Sequence, residues 1–151
     1  MKDYHKKYKR CTPWWRFMTA EFKLLVDHSE QTPVMGFTYE DDKVRLTRHG
    51  ILTSKKDFIF GASGPTFDRL PFGIFRKQMK STRRGVCKHD AFYHMSCMGV
   101  FRGPKSEYIR ALTDNLLRDD ILSDGGWEFR AEAWEETLEK FGDGSWEKGL
   151  N

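Results

Sequence analysis

The chain has 151 residues, of which 38% are hydrophobic and 15% aromatic, and its net charge is +4. That is enough for one domain with its own core, and too apolar for a disordered segment. No apolar run reaches the roughly 20 residues of a membrane-spanning helix, and three cysteines (Cys11, Cys87, Cys97) make no disulfide framework, which implies a reducing compartment.

In chain order, residues 1–12 read as a basic arm (Lys2, Lys6, Lys7, Lys9, Arg10) ahead of a single domain over residues 13–151. The arm has no apolar stretch of the kind a secretion signal carries. Residues 17–26 read as a first strand, Val34–Tyr39 as a second, and the alternating Val44–Thr47 as a third. Ile51–Thr53 and Phe58–Phe60 complete a small antiparallel sheet. Residues 61–73 hold several Gly and Pro and read as a loop, able to offer carbonyls to a cation or amides to an anion.

The texture then turns helical. A helix is predicted over 82–98, with Val86, His89, Tyr93 and Cys97 on one stripe at 100° per residue and Asp90 turned about 100° away. Gly103-Pro104 separates it from a second helix near 105–122, where Asp114, Leu117 and Ile121 share a face flanked by Arg110 and Arg118. Two helices joined by so short a link pack antiparallel. Asp124 is placed as the cap of a third helix, whose Trp127, Ala131, Trp134, Leu138 and Phe141 keep helical spacing up to Gly142. The fold class is α+β: a small N-terminal antiparallel β-sheet followed by about three packed α-helices.

Charge is unevenly distributed along this order. Residues 1–110 carry 22 Lys/Arg against 11 Asp/Glu, and residues 111–151 carry 4 against 11. Poles of opposite sign steer charged partners or dock on each other. The run Arg76, Lys77, Lys80, Arg83, Arg84 and Lys88 is suited to phosphate on a lipid surface, or to nucleic acid, although the acidic C-terminal pole weakens the nucleic-acid case.

The chemistry centres on His89. Imidazole titrates nearest neutrality, so it can take and return a proton at working pH. Asp114 has apolar neighbours on its own stripe and therefore needs a partner, for which His89 is the natural candidate. Tyr93 lies one turn beyond His89, with a hydroxyl suited to a carboxylate. A catalytic site and a buried structural pair are both consistent with these residues.

The order of motifs resembles a family of phage and prophage proteins. Its pattern is F-x-x-D-(F/G)-A-S-x-P, then H-D-x-x-Y, then an A-D pair on a helix, then F-G-x-x-W. The counterparts are Phe58 to Pro65, His89-Asp90-Ala91-Phe92-Tyr93, Thr113-Asp114, and Phe141-Gly142 with Trp146. The aspartate that precedes Gly-Ala-Ser in that pattern is Phe60 here.

The segment from Cys87 to Tyr93 also resembles the active helix of phospholipase A2, C-x-x-H-D-x-x-Y, with one residue fewer after the cysteine. That resemblance implies His89 as base, Asp114 as its orienting carboxylate, Tyr93 beside them, and Asp90 with carbonyls of the 61–73 loop as ligands of calcium. Two functions follow. One is a phage-encoded, phospholipase-A2-like hydrolase of a lipid or other ester. The other is a non-enzymatic virion or accessory component whose partners are other phage proteins. Either would sit in the host cytoplasm or the assembled virion.

Overall fold

A computed structural model describes residues 8–10, 15–61 and 72–147. Seven short strands come first: β1 (Tyr8–Arg10), β2 (Trp15–Met18), β3 (Phe22–Lys23), β4 (Tyr39–Glu40), β5 (Val44–Leu46), β6 (Leu52–Ser54) and β7 (Ile59–Gly61). A one-turn helix α1 (His28–Gln31) and a 3-10 turn (Thr32–Val34) lie between β3 and β4. Three long helices follow: α2 (Phe72–Cys97), α3 (Ser106–Ser123) and α4 (Glu128–Glu147). The fold is the expected α+β arrangement.

The strands form two antiparallel sheets instead of one, ordered β1-β2-β7 and β3-β6-β5-β4. The predicted strand over 17–26 is divided between them. β2 pairs with β7 while β3 pairs with β6, and the chain bends at Thr19 and Ala20 to change sheets. Leu24 and Leu25 are both buried, which an alternating strand does not permit. The strand predicted over 34–39 is likewise cut back to Tyr39–Glu40, because Pro33 opens the 3-10 turn and Gly36 takes φ +94°. Part of the predicted basic arm is a strand: Lys9 pairs with Phe17 in register. Residues 1–7 and 11–12 of that arm lie outside the described residues.

The helices also depart from their predicted ends. α2 begins at Phe72, ten residues before the expected start, since nothing between Phe72 and Thr82 breaks a helix except Gly73. α4 runs through Gly142 and Gly144 to Glu147. Burial of Trp146 explains this extension. Its indole Nε1 donates to Ser106 Oγ at 2.9 Å, its carbonyl accepts from Ser96 Oγ at 3.0 Å, and its ring stacks on Phe101. One residue thus ties the end of α4 to the start of α3 and the end of α2. Asp124 does not cap α4. It closes α3, and its carboxylate takes a hydrogen bond from Arg84 Nε at 3.0 Å.

α2 and α3 are antiparallel: Tyr93 meets Asp114, and Arg84 meets Asp120. Their approach is close at Gly85, where an added Cβ would come within 2.9 Å of Leu117 Cδ1 and 3.0 Å of Asp120 Cβ. The core fills the space between sheets and helices with Met18, Leu25, Val44, Phe60, Phe92, Phe101, Ile109, Leu117 and Trp146 among others. No helix among the described residues is long and apolar enough to cross a membrane.

Candidate functional site

His89 and Tyr93 lie one turn apart on α2, so both face α3, and their rings stack with centroids 4.2 Å apart. Asp114 comes from α3. Its Oδ1 accepts from Tyr93 OH at 3.2 Å and lies 3.2 Å from His89 Nε2. Asp90 turns back along its own helix and brings Oδ1 to 3.5 Å from His89 Nδ1. Arg110, one turn before Asp114, reaches Asp114 Oδ2 at 3.9 Å and Glu107 at 3.5 Å. All four residues singled out for the site, His89, Asp90, Tyr93 and Asp114, therefore meet in one cluster.

The imidazole is enclosed, with 7% of His89 exposed. Burial opposes its charge, but hydrogen bonds to Asp114 and then Asp90 outweigh this and raise its pKa above 6.5. Nε2 faces Asp114 at 3.2 Å and Nδ1 faces Asp90 at 3.5 Å, so both carboxylates favour the charged ring. With Arg110 and the two aspartates, an imidazolium makes the cluster electrically neutral. Burial and the Asp114 charge push the Tyr93 phenol above its ordinary range, against the opposing pull of Arg110, so the phenol stays protonated and donates. Asp114, Arg110 and Asn115 line an open cavity of about 190 Å³ together with Glu107, Ala111 and Glu135, and Asp90 is partly exposed on the other side of the ring.

Calcium takes six to eight hard oxygen ligands. Around His89 the described side chains supply two carboxylates, one bound to Tyr93 and facing Arg110, the other turned toward the imidazole. Among the described residues no group of three or more His, Cys, Asp or Glu is placed to hold a metal ion. Ser63 and residues 62–71 of the expected carbonyl-bearing loop lie outside the described residues, as do the side chains of Arg76, Lys77, Lys80 and Phe141.

Two further ionic clusters were not anticipated from the sequence. Lys88, 1% exposed, places Nζ 2.9 Å from Glu30 Oε1 of α1 and 3.0 Å from Asp120 Oδ2 of α3. The Asp120 contact is an ion pair without hydrogen-bond alignment. Arg84 extends this network to Asp120 and Asp124 at 2.9 and 3.0 Å. The signal for it was available: Arg84 and Lys88 are spaced i, i+4 on one helix, as are Asp120 and Asp124 around the end of the next. Two cations of the predicted basic run are therefore neutralised inside the protein. In the second cluster, His94 Nε2 lies 2.6 Å from Asp41 Oδ2, which also accepts from Tyr39 OH at 2.8 Å. Tyr39 and Asp41 are 53 or more residues from His94, and no local pattern links them.

No family model matches the chain, and no curated protein or solved structure matches it.

Proposed function

We propose that this protein is a non-enzymatic assembly component, of the virion or accessory kind that its motif order resembles, and that His89 and Asp114 form a structural pair locking α2 to α3. The enclosed His89 ring carries this reading. A general base must present a free nitrogen to its substrate or to water. Here Nε2 is directed at Asp114 and Nδ1 at Asp90, with the ring 7% exposed. Carboxylates on both sides, at 3.2 and 3.5 Å, leave neither nitrogen facing open solvent.

One observation favours the hydrolase reading. A carboxylate of the partner helix, Asp114, faces the His89 ring, as the phospholipase resemblance implies, and it lines an open cavity. The test is turnover. The full chain is incubated with phospholipid vesicles and with a soluble aryl ester, with and without calcium. No turnover is expected under any of these conditions. Turnover that disappears in a folded His89→Asn variant would overturn the structural reading.

A further inference from the structure

Two exposed features outside the His89 cluster carry opposite charge. The first is a groove of about 370 Å³ lined by Met35, Gly36, Phe37, Arg102, Pro104 and Lys105. Its floor is apolar, with Met35 40% exposed, and its charged members are both cations. Arg102 lies against the Gly99 turn and lines the rim of the groove. The second feature is a ridge at the start of α4. Phe129 is 51% exposed and packs beside Trp127 with ring centroids 5.3 Å apart. Around it Glu128, Glu132 and Glu136 are all exposed.

Those three glutamates follow each other at i, i+4 spacing, which is mutually repulsive on a helix. None of them pairs with a cation among the described residues, whereas Glu135 on the same helix binds Arg118 at 3.4 Å. The ridge is thus an apolar knob flanked by three exposed carboxylates. The groove is an apolar hole with a basic rim. The same opposition holds for the whole chain, which is basic over residues 1–110 and acidic over 111–151.

We infer that the Phe129 ridge of one copy seats in the Met35–Lys105 groove of the next, so that the protein associates head to tail. Phe129 covers Met35 and Phe37, and the flanking glutamates meet Arg102 and Lys105. Opposite charge at the rim sets orientation and encounter rate, while the buried ring supplies the desolvated centre. Two different patches are used head to tail, so the contact is heterologous and builds a chain or ring of three or more copies. This inference rests on the assembly reading and names its partner as a second copy. The two fail separately, since turnover tests the one and mass tests the other.

Sedimentation velocity of the full chain at low ionic strength tests it. The weight-average mass is expected to climb past two copies with concentration, and to fall when salt shortens the Debye length to a few ångströms. Lys105→Glu with Arg102→Glu, and separately Glu132→Lys with Glu136→Lys, should each weaken association about tenfold or more. An equimolar mixture of the two variants should restore it, because each supplies the face the other needs. Phe129→Ser, at an exposed position, gives the same loss without changing charge. A wild-type chain that stays monomeric, a dimer that stops at two copies, or a mixture that fails to reassociate would each overturn the inference. Circular dichroism establishes that every variant is folded.

Discussion

His94 Nε2 lies 2.6 Å from Asp41 Oδ2, so the turn between β4 and β5 is fastened to α2 by one carboxylate. Asp41 uses its whole acceptor capacity. Oδ1 takes the backbone N–H groups of Lys43 and Val44, each at 2.8 Å, and Oδ2 takes Tyr39 OH and His94. It therefore shapes the hairpin and docks it at the same time. Burial raises the Asp41 pKa, but the bonds from His94, Val44, Tyr39 and Lys43 outweigh it and hold the carboxyl well below its ordinary value.

Asp41→Asn keeps the shape but gives up the charge and one acceptor. Because the folded pKa is depressed, the stabilisation is present above the ordinary carboxylate value of 3.8 and is lost as pH falls through the folded value. The variant should be less stable by about 2 kcal/mol at pH 7, with the gap to wild type closing under strongly acid conditions. Urea unfolding at both pH values measures this. An equal deficit at both would show that the charge does not contribute.

His89 has the opposite sign. Its pKa is raised on folding, so the imidazolium's contribution is complete below about 6.5 and is lost as pH rises through the folded value. His89→Gln should cost about 2 kcal/mol at pH 6, and the deficit should narrow on the alkaline side. Thermal unfolding of the two proteins across pH 5 to 9 gives the comparison. A deficit that widens with pH would mean that the neutral ring is the stabilising form.

Lys88 sits between Glu30 and Asp120 with almost no exposure. Lys88→Met preserves the stem but strands Glu30 as a buried charge, and should cost about 3 to 5 kcal/mol. Asp120→Asn should cost less, about 1 kcal/mol, for two reasons. Burial raises the Asp120 pKa despite Lys88 and Arg84, so its charged form is already disfavoured. Lys88 also keeps Glu30, and Arg84 keeps Asp124. Equilibrium unfolding of both variants tests the order, and a larger loss in Asp120→Asn would reverse the account.

Part of the candidate site was legible because it is local. The i, i+4 spacing of His89 and Tyr93 puts both on one face, and the short Gly103-Pro104 link forces α3 to return antiparallel, which leaves Asp114 facing them. The rest was not local. Asp90 was read as pointing away at 100°, yet its short side chain bends back to Nδ1. Lys88 belongs to the basic run expected to meet phosphate, because only the position of α1, whose Glu30 lies fifty-eight residues earlier, encloses it. Gly85 carried no signal in the chain, although it is where α3 approaches closely enough for Arg84, Lys88 and His89 to find their acids.

The sequence by itself determined the class of fold, the second long helix to within a residue, the start of the third to within a few, and the inward faces of their stripes. Periodicity and turn residues act over one or two turns of chain, and those features need nothing more. Only the tertiary structure decided that the strands form two sheets, that α4 continues to Trp146, and that the His89 ring is enclosed between two carboxylates. Each of these depends on whether groups far apart in sequence bury one another. Burial sets the cost of every unpaired charge, and so decides which ionisable residues are paired inside the protein and which remain at its surface.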